Sequence, residues 1–130
     1  QRCTCARRLF VIDGPQAQPF IDRLVASAAQ LKVGAYDEEP SPFMGPVISL
    51  RETKRLLDAQ SMLISSGAVP LLEMKQLRKD LPFLSPAILD VTGLKDLPDE
   101  EYFGPLLQLT RVATAEEALW RANHTRFGLS

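Results

Sequence analysis

Two thiols stand at the beginning of the sequence, at Cys3 and Cys5 in the stretch QRCTCARRLF. A cysteine thiolate is a nucleophile, a metal ligand and a redox group, whereas a buried cysteine without these roles behaves as a small apolar residue. A free thiol has a pKa of about 8.5, so a reactive cysteine near pH 7 needs a site that lowers this pKa or supplies a base. The stretch therefore allows a nucleophile, a redox pair or a packing feature.

Metal binding and a stable disulfide are both disfavoured by the possible ligands and their spacing. The sequence has two cysteines and one histidine, His124, too few for a four-ligand zinc site. A bridge between Cys3 and Cys5 would close a very small loop, which extended backbone does not favour. We expect no metal, a reduced thiol in the cytoplasm and a packing role for Cys5. A redox switch using both thiols stays open as an alternative.

Length and composition describe one ordinary globular domain. The sequence has 130 residues, of which 45% are hydrophobic and 24% charged, and its net charge is -1 at pH 7. This length suffices for a substantial core. A balanced charge gives no general attraction to nucleic acid or to an anionic membrane, and the apolar runs are far shorter than the roughly 20 residues of a bilayer span. We therefore expect neither a nucleic acid nor a membrane as partner.

Patterns typical of strands and of helices follow one another along the chain. Runs rich in β-branched and aromatic residues predict strands, and the spacing Ser49-x-x-Glu52, repeated at Thr114-x-x-Glu117, is that of a helix capping box. This order predicts a layered α/β domain with a mostly parallel sheet. The predicted strands are 7–13, 69–74, 87–91 and 105–112, and the predicted helices run from Pro19 to an end at Gly34, from Ser49 to an end at Gly67, and from Thr114 to Asn123.

An acidic pair and an aromatic residue lie in the stretch DEEYFGP, before the last predicted strand. Glu100 and Glu101 could form a solvated turn, and Phe103 could be a buried aromatic at the start of a strand. A carboxylate also suits a vicinal diol, because each of its oxygens can accept one hydroxyl proton. Residue chemistry alone leaves both interpretations open.

Several motifs in the same order resemble the aldehyde dehydrogenase superfamily in its catalytic domain. They are QRCT at 1–4, MGPVIS at 44–49, SPAILDV at 85–91, EEYFGP at 100–105 and NHTRFGL at 123–129. The resemblance spans the whole chain, with Ala87 in place of a family threonine. It implies a three-layer αβα domain with a mostly parallel sheet.

The resemblance also implies a covalent mechanism at Cys3. Its thiolate would attack the aldehyde carbon, the resulting thiohemiacetal would pass a hydride to a nicotinamide cofactor, and water would hydrolyse the thioester. The backbone N–H of Cys3 would stabilise the oxyanion. Glu101 would accept hydrogen bonds from the hydroxyls of the nicotinamide ribose, and Phe103 would pack against that ribose. The cofactor expected is NAD, and NADP is not excluded.

Residues 1–130 are expected, from the same resemblance, to be a catalytic domain fragment of a longer chain. The motifs are most similar to those of the branch that oxidises an acidic, succinylated semialdehyde in arginine breakdown. Its partners would be the small aldehyde, the rest of its own chain and, in a homo-oligomer, identical subunits; the piece alone would be inactive. Other semialdehydes as substrate, and a non-catalytic α/β interaction module with incidental cysteines, stay open as alternatives.

Overall fold

The chain forms four strands and three helices in the computed structural model, which describes residues 5–128. None of the helices within this range is long and apolar enough to cross a bilayer. In chain order the elements are β1 (Arg8–Ile12), α1 (Ala17–Ala29), α2 (Leu50–Ser65), β2 (Val69–Leu72), β3 (Ala87–Asp90), β4 (Leu106–Val112) and α3 (Ala115–Asn123).

The four strands form one sheet in the order β1-β4-β3-β2. Strand β4 lies in the middle, and both of its neighbours run parallel to it, with Arg8 opposite Gln108 on one side and Ala87 opposite Leu106 on the other. Strand β2 pairs with β3 in the antiparallel sense. The prediction of a mostly parallel sheet is therefore confirmed. The pairing of β1 with β4 also places the start of the chain beside residues about a hundred positions later.

Helices cover both faces of the sheet, as alternating strand residues require. On one face Ile88 and Leu109 pack with Ile21 of α1. On the other face Leu89 packs with Leu56 of α2. Helix α3 lies beside β1, where the Arg8 guanidinium donates to the carbonyl of Arg121 at 2.8 Å. The arrangement is the expected three-layer αβα domain.

Local capping chemistry determines where α2 and α3 begin. The Ser49 hydroxyl accepts from the backbone N–H of Glu52 at 3.2 Å, and the Thr114 hydroxyl accepts from that of Glu117 at 3.1 Å. Each bond satisfies one of the backbone donors that a helix start leaves without an intrahelical partner. The predicted helix starts at Ser49 and Thr114 are confirmed, with one of the two bonds of a capping box at each.

Helix α1 ends at Ala29, so the prediction that it continues to Gly34 was wrong. Its last turn tightens, because the N–H of Leu31 bonds to the carbonyl of Ala28, three residues back. The chain then pairs with a distant segment: Val33 forms a parallel bridge with Met44, and the N–H of Gly34 donates to the Met44 carbonyl at 3.1 Å. This tertiary pairing takes up backbone groups that a longer helix would have used.

Candidate functional site

A cleft of about 430 Å³ opens between the segment that leads into β1, the loop that leads into β4 and the segment that follows α3. Three regions that the sequence indicated on separate grounds meet in this cleft. They are the cysteine segment, the acidic pair and the motif at 123–129. The residues that line it include Cys5, Ala6, Arg7, Asp99, Glu100, Glu101, Asn123, Thr125, Phe127 and Gly128.

The cysteine segment enters the cleft from the start of the chain. Cys3 lies outside the described residues, so its role as nucleophile stays a prediction. Cys5 is half-buried and lines the cleft, and its backbone carbonyl accepts from the Arg7 guanidinium at 3.0 Å. The segment two residues after Cys3 is thus a wall of the cleft.

The two glutamates of the acidic pair have different surroundings. The Glu101 side chain is 26% exposed, and its Oε1 lies 3.9 Å from Nη1 of Arg7. The Glu100 side chain is 52% exposed and lies 4.0 Å from Nη2 of Arg55, an α2 residue. Both side chains line the cleft, but they approach different arginines. Glu101 is the member of the pair that shares a contact with the cysteine segment.

Arg7 joins the cysteine segment to the loop that carries Glu101. Its Nε donates to the carbonyl of Tyr102 at 2.9 Å, and its guanidinium lies over the ring of Phe103, 4.5 Å from the centroid. Phe103 is 38% exposed. The sequence analysis missed this contribution of Arg7, for which the cluster of arginines around the two thiols was the available signal.

Two residues, Tyr102 and Gly104, hold the loop that carries Glu101 against the core. Tyr102 is 2% exposed, and its hydroxyl has no hydrogen-bond partner among the described residues; this burial raises the pKa of Tyr102. At Gly104, a Cβ would lie 2.2 Å from Cδ1 of Leu56. Glycine is therefore required here because α2 packs directly beneath the loop. The buried Tyr102 leaves its two neighbours, Glu101 and Phe103, on the outer side.

Asp99 ties the segment after α3 to the loop before Glu101. Its Oδ1 accepts from the Thr125 hydroxyl at 2.5 Å, and its Oδ2 accepts from the Arg126 backbone N–H at 2.9 Å. These two bonds, the hydroxyl bond first, hold the pKa of Asp99 below its usual range. The sequence analysis did not select Asp99. An ionised Asp99 at neutral pH keeps both walls of the cleft together.

A second cavity, of about 370 Å³, lies between α3 and the sheet. Trp120 and His124 stack beside it with their ring centroids 4.9 Å apart, and Gln108 and Thr110 line its floor. His124 is exposed, as the sequence predicted. Within residues 5–128, no group of three or more histidine, cysteine or acidic side chains is arranged to hold a metal ion.

The whole chain, residues 1–130, matches the family model described as the aldehyde dehydrogenase family. It is 55% identical over 130 residues to an N-succinylglutamate 5-semialdehyde dehydrogenase of Acinetobacter baylyi. A protein of the same name from Hahella chejuensis is 52% identical over 130 residues. Each alignment covers 100% of this chain, but 27% and 26% of the two relatives. The chain thus spans about a quarter of the length of the curated relatives it matches.

Solved structures share the fold. A methylmalonate-semialdehyde dehydrogenase from Oceanimonas doudoroffii superposes with a TM-score of 0.87 at 22% identity, over 98% of this chain and 27% of that one. An aldehyde dehydrogenase from Bacillus cereus, solved as an NAD+ complex, superposes with a TM-score of 0.83 at 27% identity, over 98% of this chain and 26% of that one.

Proposed function

Because the chain belongs to the aldehyde dehydrogenase family, we propose that residues 1–130 form the thiol-bearing catalytic part of a longer polypeptide that oxidises an aldehyde. The observation that carries the proposal is the cleft in which the wall formed by Cys5 meets the carboxylate of Glu101. One side presents Cys5, which follows Cys3 by two residues in the sequence, and the other presents acceptors for a cofactor. The limited share of each relative that this chain covers supports a longer polypeptide.

The residues on the Glu101 side fit the ribose of a nicotinamide cofactor. Glu101 offers two carboxylate oxygens at the cleft wall, which suits two neighbouring hydroxyls. Phe103 presents a partly exposed ring on the same outer side of the loop, and a ribose can pack on such a surface. We assign the cofactor as NAD because NAD+ is bound by the related Bacillus cereus enzyme; NADP is the alternative. When bound, the nicotinamide accepts a hydride from the aldehyde carbon.

The chemistry assigned to the chain itself begins at Cys3. Its thiolate sulfur forms a bond to the aldehyde carbon, and the electron pair of the carbonyl double bond moves to oxygen. The backbone N–H of Cys3 donates to this oxyanion. After the carbon has lost its hydride, the resulting thioester links the acyl group to the same sulfur. Water then attacks the thioester carbon, the carbon–sulfur bond breaks, and the product leaves as a carboxylate while Cys3 regains its thiolate; the two protons of the water pass to solvent.

The proposed substrate is N-succinyl-L-glutamate 5-semialdehyde, oxidised to N-succinyl-L-glutamate in arginine catabolism. The identities of 55% and 52% to two relatives of that name support this choice. A cytoplasmic location and a homo-oligomer belong to the same proposal. Strand β2 leaves one edge of the sheet without a partner strand among the described residues, which is compatible with pairing to further chain.

The substrate assignment is tested by initial rates of the complete polypeptide with three aldehydes. N-succinylglutamate, glutamate and succinate semialdehydes are each supplied with NAD or with NADP, and reduced cofactor is followed by absorbance. We expect kcat/KM for the succinylated aldehyde to exceed the other two by at least about tenfold, the size of effect that one or two well-placed polar contacts give. A higher kcat/KM for either other aldehyde would move the protein to another semialdehyde dehydrogenase. Oxidation of none would favour the interaction module.

The ribose assignment is tested by Glu101→Gln in the complete polypeptide. An amide keeps one acceptor oxygen but loses the charge and the second acceptor, so we expect the KM for NAD to rise about tenfold, as for the loss of a hydrogen bond to a charged group. Glu73→Gln is the matched control, because Glu73 is exposed and does not line the cleft, and it should change the KM less than about twofold. Equal KM values for both variants would contradict the assignment.

A further inference from the structure

We propose that Arg7 is a positioning residue. It keeps the thiol segment, which leads into β1, and the cofactor loop, which carries Glu101, Tyr102 and Phe103, in the relative position that hydride transfer requires. The proposal rests on the function proposed above and deepens it, because it concerns the geometry between the two halves of that site. The Arg7 side chain contacts both halves.

Three contacts join the Arg7 guanidinium to the cofactor loop. Its Nε donates to the Tyr102 carbonyl at 2.9 Å. Its Nη1 lies 3.9 Å from the Glu101 carboxylate. Its Cζ lies over the Phe103 ring, 4.5 Å from the centroid. Arg7 therefore contacts both side chains assigned to the ribose, Glu101 and Phe103. It also bonds to the backbone of Tyr102, which lies between them.

Among the described residues, one hydrogen bond joins the Arg7 side chain to the thiol side, and another anchors the Arg7 backbone to the sheet. The same Nη1 donates to the Cys5 carbonyl at 3.0 Å, and the Arg7 carbonyl accepts from the backbone N–H of Gln108 in β4 at 2.9 Å. The backbone of Arg7 is thus anchored to the sheet while its side chain spans the gap between the segments. Its side chain is only 9% exposed, so solvent and salt screen these contacts little.

Only the shape of a guanidinium permits this combination of contacts. It is planar, carries donors in several directions and can stack on a ring while its edge donates hydrogen bonds. A lysine ammonium at this position would keep the charge near Glu101 but could not also stack flat on Phe103. Since misplacing reacting groups by about 1 Å can lower a rate about a hundredfold, loosening this link should impair hydride transfer more than thiol reactivity.

The test compares two reactions of the same sulfur in the complete polypeptide. Oxidation of the aldehyde by NAD requires thiol and cofactor together, whereas acylation by 4-nitrophenyl acetate requires the thiol alone, since the ester already carries the oxidation state of an acid. Arg7→Met and Arg7→Lys are compared with Arg78→Met. Arg78 is a matched control, because it pairs with Glu38 at 2.6 Å and covers the Phe83 ring at 4.3 Å, away from the cleft. The deuterium isotope effect of the deuterated aldehyde is measured in parallel.

We expect Arg7→Met to lower kcat for oxidation about tenfold or more and to raise the KM for NAD, while acylation by the ester stays within about threefold of the parent. Arg7→Lys should lie between the parent and Arg7→Met. The isotope effect should increase in both variants, as hydride transfer becomes slower relative to other steps. Arg78→Met should leave the ratio of oxidation to acylation unchanged.

Parallel loss of both reactions in the Arg7 variants, or an unchanged ratio, would overturn the proposal and reduce Arg7 to a purely structural residue. If Arg7→Met does not fold, as judged by its melting temperature, the ratio in Arg7→Lys decides. Failure of the proposed function has a different signature, because the parent polypeptide itself would then oxidise no aldehyde.

Discussion

Replacing Cys3 by alanine in the complete polypeptide should lower aldehyde oxidation by at least about 10³-fold, because the variant has no atom that can form the thioester. Serine at the same position should be nearly as inactive, since a hydroxyl is far less ionised than a thiol at neutral pH. The rate of cofactor reduction at saturating aldehyde measures the effect. Cys5→Ala is the matched control and should keep activity within about fivefold, because the sulfur of Cys5 has no part in the proposed chemistry. Full turnover by Cys3→Ala would refute the covalent mechanism.

Alkylation kinetics separate the remaining interpretations of the two thiols. Fast, pH-dependent labelling of Cys3 alone, blocked by aldehyde, is expected of a catalytic nucleophile. Slow and equal labelling of Cys3 and Cys5 would favour an interaction module with incidental cysteines. A reversible bridge between Cys3 and Cys5 under mild oxidant would favour a redox switch.

Replacing Gly104 by alanine should destabilise the protein by about 1–3 kcal/mol, the usual cost of overpacking a filled core. The added Cβ would stand 2.2 Å from Cδ1 of Leu56, and Leu56 is fully buried beneath the loop. Either the Leu56 side chain or the loop must therefore shift, and a shift of the loop would also move Glu101 and Phe103. The free energy of unfolding in urea measures the stability, and a fluorescence titration with NAD measures the effect on the proposed cofactor site.

Two further variants make the result at Gly104 specific. Gly93→Ala is the matched control, because a Cβ at Gly93 meets no atom within 4 Å, and it should change the stability by less than about 0.5 kcal/mol. Shortening the opposing residue, as Leu56→Val, should recover part of the loss when it is combined with Gly104→Ala. Equal stabilities of the two glycine variants would show that contact with Leu56 is not what requires glycine.

Local patterns in the sequence were enough to predict most of the secondary structure. The N-cap residues Ser49 and Thr114 begin α2 and α3, because each hydroxyl accepts from a backbone N–H three residues later and no distant residue is needed. The end of α3 at Asn123 was likewise predicted. The order of the motifs indicated the family, and the alternation of strand and helix patterns indicated the mostly parallel sheet. Both predictions are confirmed.

Contacts between distant segments could not be predicted in the same way. Nothing local indicates that Gly34 pairs with Met44 and that α1 therefore stops at Ala29. Gln60 also looked like an ordinary helix residue, yet its amide is buried and bonds to both the N–H and the carbonyl of Met74. The sequence shows only that Gln60 is polar. The fold shows that its side chain is the hydrogen-bond partner of backbone groups buried in the core.

The sequence by itself determined the kinds of element, because these depend on neighbours along the chain. The resemblance of its motifs to a known family indicated the family and the residues proposed for catalysis and cofactor binding. The tertiary structure alone decided how those residues are held together. Arg7 reaches Tyr102, 95 positions later, and Asp99 reaches Thr125, 26 positions later. The Arg7 contact forms because β1, which follows Arg7, pairs with β4, which follows Tyr102. A hydrogen bond depends on the distance between two atoms in space, and the number of residues between them in the sequence does not give that distance.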